Sequence, residues 1–153
     1  MRRLHCLVAS CFGIGYIGKG GGTIASAFAI LIWGAMFAIW GNALFWQLLL
    51  LLGVTAAGVW SSYKVEPLWG KDSKKVVIDE VAGMLVALLG LSFNIPIVLA
   101  AFVLFRFFDI VKPLLINRTE RLPGGWGVMA DDILSGVYSN IIMWILVSQK
   151  LIA

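Results

Sequence analysis

Uncharged apolar runs alternate with short polar interruptions along the whole chain. Ile24–Trp40 and Ala43–Trp60 are two such runs, separated only by Gly41-Asn42. Each reaches the lower length for crossing a ~30 Å hydrocarbon core. The Gly-Asn pair reads as a tight turn, so the two runs predict a helical hairpin. Ser61–Lys75 is polar and reads as a loop. Val76–Leu91 is apolar again, Ser92–Pro96 breaks it, and Ile97–Ile110 follows. Lys112–Ala130 reads as a second polar loop, and Ile133–Val147 is the final apolar run. The stretch Leu4–Gly18 begins after Arg2-Arg3 and has no convincing cleavage site. We read it as a retained interfacial or re-entrant segment. The pattern predicts an all-α polytopic membrane protein, with about four or five helical segments crossing the bilayer. Residues 1–153 form a single membrane-embedded domain.

Composition agrees. The chain is 61% hydrophobic with a mean hydropathy of +0.96, far above the roughly 45–50% apolar content of soluble domains. The net charge of +4 does not mark a nucleic-acid binder, because no basic stripe with interleaved aromatics is present. The charge instead sits in the long loops: Lys64, Lys71, Lys74 and Lys75 in the first, Lys112, Arg118 and Arg121 in the second. The positive-inside rule places both loops in the cytoplasm and both uncharged turns outside, with Lys150 the one dissenter. Trp40, Trp46, Trp60 and Trp69 read as interfacial anchors. Cys6 and Cys11 read as small buried hydrophobes in a reducing compartment.

Against this apolar background the carboxylates stand out. Five of them fall in three clusters: Asp79-Glu80, Asp109 three residues after Arg106, and Asp131-Asp132. A carboxylate at a helix centre costs roughly 2.5–3.5 kcal/mol on insertion scales. On the charge-derived topology Asp79-Glu80 open their helix, Arg106 and Asp109 close theirs, and Asp131-Asp132 open the last one. All three clusters then meet near the cytoplasmic surface. Several carboxylates beside cations suit a hard ion and phosphoryl chemistry. Arg106 and Lys112, on one side of a helix end, suit a phosphate clamp. The glycines at 124, 125 and 127 could offer backbone N–H groups to an anion.

Each piece has a plainer meaning. Asp131-Asp132 alone reads as a helix cap, Arg106–Asp109 as a structural ion pair, and Gly83 and Gly136 as allowing close helix packing. The case rests on their coincidence. A single histidine, His5, sits far from the clusters and argues against a phosphohistidine route. Neither cysteine has an arginine six positions on, and no Asp-x-Asp pair occurs. Thr23 or Ser26 as nucleophile stays open beside the simpler route of an activated water.

Four segments carry a resemblance. Gly22-Thr23-Ile24-Ala25-Ser26, Ile78-Asp79-Glu80-Val81-Ala82-Gly83, the stretch from Phe105 through Arg106, Asp109 and Lys112 to Pro113, and Gly125-Trp126-Gly127-Val128-Met129-Ala130-Asp131-Asp132 with Gly136 resemble the motifs of the phosphatidylglycerophosphatase A family. The departures are Gly21 where proline is usual, Leu115 for a proline and Ser135 for an alanine. The resemblance implies a Mg²⁺-dependent phosphatase of the bacterial inner membrane, with its site facing the cytoplasm. It would convert phosphatidylglycerophosphate to phosphatidylglycerol, the precursor of cardiolipin. Asp79, Glu80, Asp109, Asp131 and Asp132 are then the candidate metal ligands and catalytic carboxylates. Arg106 and Lys112 would bind phosphate, and Thr23 and Ser26 would line the site. The rival from another class is a small cation or proton transporter using the same carboxylates; it would need polar groups through the whole bilayer.

Overall fold

The computed structural model describes residues 2–71, 73–113, 116–119 and 122–152. Leu115 and Arg121, singled out above, lie outside them. The described residues are helical, with no strand among them. Helix α1 covers Arg2–Ala9 and is followed by one 3₁₀ turn, Ile14–Ile17. Eight residues rise about 12 Å, so α1 cannot cross a bilayer, as expected for this segment. Helices α2 (Gly21–Trp40) and α3 (Leu44–Trp69) form the expected hairpin. They are followed by α4 (Ile78–Ala87), α5 (Ile95–Val111), α6 (Ile116–Thr119) and α7 (Gly125–Ser148).

Three boundaries differ from the sequence reading, each for a physical reason. First, Ser61–Trp69 is not loop. It continues α3 to 26 residues, because its scattered polar residues are compatible with a helix that emerges from the apolar layer. Pro67 falls in the last turn, where few downstream bonds are lost. The Gly70 N–H then closes the helix on the Glu66 carbonyl at 2.9 Å. Second, Val76–Leu91 does not form a crossing segment. Only the 10 residues of α4 are helical, and nine of them are buried inside the bundle. Uniform hydrophobicity here marks burial in protein on all sides rather than contact with lipid. Third, Lys112–Ala130 is not one loop. Helix α7 starts at Gly125, so Asp131-Asp132 lie inside it rather than at its opening.

The short α4 is the centre of the packing. It contacts α7 most extensively, then α2 and α3, and α5 rests on α7. Gly83 and Gly136 make this possible: a Cβ built on Gly83 would overlap the Asp132 carbonyl and the Phe105 ring, and one on Gly136 would overlap the Gly83 carbonyl. Close backbone approach of small residues is how membrane helices gain contact without a hydrophobic drive. The far end of α4 is satisfied by side chains. Asn140 Nδ2 donates to the Ala87 and Leu89 carbonyls at 3.1 and 3.0 Å. Gly90 N donates to Gln47 Oε1 at 2.8 Å, and Asn42 Nδ2 to the Gly90 carbonyl at 3.2 Å. These bonds tie the α2–α3 turn to the α4–α5 turn.

Around this centre the outer helices expose apolar side chains such as Leu31, Leu52, Val103 and Ile141. Among the described residues, α2, α3 and α7 are long and apolar enough to cross a membrane. The chain is thus an all-helical membrane protein.

The backbone contact at Gly136 yields a first test. Gly136→Ala, which adds only the overlapping Cβ, is expected to destabilise the protein by about 1–3 kcal/mol through overpacking. Gly53→Ala, where a Cβ meets nothing within 4 Å, is expected to leave it unchanged or stabilised. Thermal unfolding in detergent separates the two.

Candidate active site

Asp79 and Glu80 occupy the first turn of α4. Carboxylates are favoured there by the positive end of the helix dipole and by its unpaired N–H groups. Asp79 Oδ1 accepts the Glu80 N–H at 3.1 Å. The residue before the helix, Val77, supplies no side-chain cap, so neither acid is a simple N-cap.

Asp131 and Asp132 come from the second turn of α7, on the side that faces α4. Capping cannot explain them, since the cap position is Gly124. Asp132 is 3% exposed and faces Asp109, Glu80 and Asp131. Carboxylate oxygens of Asp79, Glu80 and Asp132 all lie within 4.8 Å of one another. That spread is comparable with the ~4 Å across a Mg²⁺ coordination shell. Glu80 Oε2 and Asp131 Oδ1 are buried with no hydrogen-bond partner among the described residues. Buried carboxylate oxygens left in this state fit an oxygen-preferring cation better than they fit a closed structural network.

The cations come from the end of α5. Arg106 Nη1 lies 2.6 Å from Asp109 Oδ2, but off the hydrogen-bonding angle. Arg106 Nε and Nη1 are buried with no acceptor among the described residues. Lys112 ends α5 as its cap in the left-handed region, φ 46°. That turn returns its ammonium to the bundle, where Nζ donates to Asp131 Oδ2 at 2.7 Å. So Arg106 pairs within its own helix, whereas Lys112 joins α5 to α7.

Of the hydroxyl candidates, Ser26 is fully buried and donates to the Gly22 carbonyl at 2.8 Å, within its own helix. Thr23 is exposed one residue past Gly22. The glycine-rich segment opens α7 against α3: a Cβ on Gly125 would overlap the Val59 carbonyl. Cys11 is buried, and burial followed by the Glu80 charge pushes its thiol up to about 12. It stays protonated at neutral pH and is a poor nucleophile or ligand. His5 packs edge-on against Trp60, 4.4 Å between ring centroids.

One motif residue has a role that the sequence reading did not assign. Gly22, in the first turn of α2, leaves room for the Glu80 carboxylate and the Arg106 guanidinium; a Cβ there would collide with Glu80. In the sequence it heads the segment Gly22-Thr23-Ile24-Ala25-Ser26, with no role of its own attached.

Four helices therefore meet at one end of α4, bringing together five carboxylates, a guanidinium and an ammonium. Such a site can bind a hard cation and an anionic oxygen ligand side by side. Comparison with known proteins finds phosphatases. The chain is 42% identical over 145 residues to a protein of Bacteroides thetaiotaomicron that carries the provisional name phosphatidylinositol-3-phosphatase; the match covers 92% of this chain and 91% of that one. It is 36% identical over 142 residues to phosphatidylglycerophosphatase A of Escherichia coli, covering 90% and 80%. A shorter match, 41% over 75 residues and 48% and 46% of the two chains, is to the Haemophilus influenzae protein of the same name. No solved structure matches. The sequence model of the phosphatidylglycerophosphatase A family matches residues 7–147, and the chain belongs to that family of phosphatases.

Proposed function

We propose that this protein removes the terminal phosphate of phosphatidylglycerophosphate with the help of Mg²⁺, giving phosphatidylglycerol and phosphate. The observation that carries the reading is the convergence of Asp79, Glu80 and Asp132 within 4.8 Å, beside an Arg106 guanidinium whose buried Nε has no acceptor among the described residues. The family and the two relatives named for this activity support the substrate.

Asp79, Glu80 and Asp132 would hold the ion, with Asp109 and Asp131 completing or orienting the set. Bound Mg²⁺ supplies Lewis-acid neutralisation of charge on the phosphoryl oxygens. The chain's own residues do the rest. Arg106 offers a bidentate fork to the phosphate, and Asp109, its ion-pair partner, keeps the guanidinium turned into the site. Lys112, held by Asp131, adds a second positive charge at the mouth. A carboxylate of this cluster would accept the proton of the attacking water as its P–O bond forms, and return it to the glycerol oxygen as the other P–O bond breaks. Phe105, fully buried beside Gly83 and the Asp132 carbonyl, would exclude other water and strengthen each electrostatic contact. The alternative of Thr23 or Ser26 as nucleophile is less favoured, because Ser26 is committed to its helix and Thr23 faces outward.

In this reading the 17-residue α5 is a fourth crossing segment beside α2, α3 and α7, and the site faces the cytoplasm of a bacterial inner membrane. The basic side chains support the orientation. Lys71, Lys74 and Lys75 follow α3 at the end of the bundle where α4 begins, and Lys75 Nζ lies 5.8 Å from the Trp69 ring centroid. A transporter is disfavoured, since the carboxylates gather at one end of α4 while its other end is closed by amides.

Purified protein in detergent should release phosphate from phosphatidylglycerophosphate with Mg²⁺, stop in excess chelator and recover when Mg²⁺ is restored. Full turnover in chelator would exclude the metal. Because one relative's name points to a different lipid, phosphatidylinositol 3-phosphate belongs in the same assay. A higher kcat/KM for that lipid would reassign the substrate.

Asp79→Asn, Asp109→Asn and Asp132→Asn keep shape and remove charge. Each should accumulate normally and lose turnover by about two orders of magnitude or more. Arg106→Lys should fail as well, because lysine keeps the charge without the fork. Near-normal rates would place the chemistry elsewhere.

Orientation is checked by labelling. A cysteine at Ser73, in the α3–α4 loop, should react in intact cells only with a membrane-permeant reagent. Reaction with an impermeant one would reverse the topology.

A further inference from the structure

An apolar groove of about 620 Å³ runs between α2 and α3. It exists because these two helices touch each other little; both lean on α4 instead. At one end it is closed by Trp40 and Trp46, whose rings stack with centroids 5.1 Å apart. At the other end lie Ala57 and Ile78, and Ile78 is the residue before Asp79. The groove therefore starts beside the carboxylate cluster and leads away from it along the bundle. From Trp46 to Ala57 the helical rise is about 16 Å. Gly53 lines the groove, and a Cβ there would meet nothing within 4 Å. The helix-packing glycines at 58, 83 and 136 are, by contrast, pressed against neighbours.

We propose that this groove holds one acyl chain of the phospholipid substrate, so that the enzyme positions its lipid by the tail as well as by the phosphate. The inference rests on the phosphatase reading above. Its direction follows from geometry: a lipid whose phosphate lies at Asp79 and Arg106 must send its chains toward the far side of the bilayer, and the groove opens along that path. Its size is within the roughly 300–1,000 Å³ usual for ligand clefts. A second crevice on another face of α3 ends at Gly124–Trp126, at the start of α7, has no α4 residue in its lining, and serves as the control.

The test fills the groove without disturbing the fold. Gly53→Leu projects into open space and improves helix propensity. It should lower kcat/KM at least about tenfold on dipalmitoyl phosphatidylglycerophosphate, and leave the dihexanoyl substrate within about twofold. Ala56→Leu, in the control crevice, should spare both. Equal loss on the two substrates, no loss on either, or the same split from Ala56→Leu would overturn the proposal. Occupancy is read separately by photo-crosslinking with a substrate lipid carrying a diazirine at the chain end. Adducts are expected on the peptides containing Ile32 and Gly53, and should be lost in Gly53→Leu. Adducts in wild-type protein that releases no phosphate would uphold the groove and overturn the phosphatase reading. No adducts, or equal adducts from diazirine phosphatidylcholine, would overturn the groove as a substrate site.

Discussion

The rest of the structure depends on backbone-to-backbone contact between α4 and α7. With glycine at 83 and 136, the Asp132 carbonyl lies over Gly83 and the Gly83 carbonyl over Gly136. In a bilayer, lipid is as apolar as leucine, so contact of this kind must come from packing instead of water expulsion. The same contact fixes the chemistry. It sets Asp79 and Glu80 on one helix against Asp131 and Asp132 on the other, with no loop between them to flex. A site built on two locked helices holds its geometry better than one built on loops. The carboxylates repel each other, and the packing supplies the counterforce.

A ten-residue helix cannot span the hydrocarbon layer, and that is the second constraint. Both ends of α4 lie inside the protein, so their backbone groups need partners there. The N-terminal end has its unpaired N–H groups beside acidic side chains. The C-terminal end has Asn140, with Gln47 and Asn42 serving the turn beyond. Gln47 is 3% exposed although it lies in an apolar helix, and this role accounts for it. The asymmetry has a functional side. Acids stand at one end and neutral amides at the other, so the polar chemistry is confined to one end of the helix.

The sequence made the site more legible than the boundaries. Carboxylates are costly in apolar segments, so Asp79, Glu80, Asp109, Asp131 and Asp132 stood out without a structure. Their depth did not. Reading Asp131-Asp132 as the start of a helix assumed that charge marks the edge of the apolar layer. In fact Lys112 reaches Asp131 from a neighbouring helix, and α7 continues past both acids toward Gly125. The α3 extension was missed for the same reason: Ser61, Ser62 and Lys64 look like loop by polarity, yet Ser61 and Ser62 are buried in helix. Hydropathy reports what surrounds a residue, and helical periodicity is a different signal. The apolar 76–91 segment misled in the opposite sense, because burial in protein and burial in lipid select the same residues. Gln47 and Asn140, and the role of Gly22, were invisible for a simpler reason. Each acts on a partner distant in sequence, and a single chain without its fold does not show such pairs.

The charge balance of the site gives the last step. Five carboxylates gather where Arg106 and Lys112 reach them, so full ionisation would leave a surplus of negative charge in a poorly screened place. A phosphomonoester, itself anionic, would be repelled from such a cavity. A transporter could relieve the surplus by passing protons, but then the acids should continue as a chain toward the opposite face, where amides stand instead. A divalent cation relieves it locally, and turns a repulsive pocket into an attractive one for phosphate. The proposed Mg²⁺ would thus act twice, first by admitting the substrate and then in the reaction. The tail groove complements this arrangement. Both headgroup charge and metal occupancy vary with conditions, whereas an acyl chain seated beside Ile78 would present its phosphate at the same depth each time.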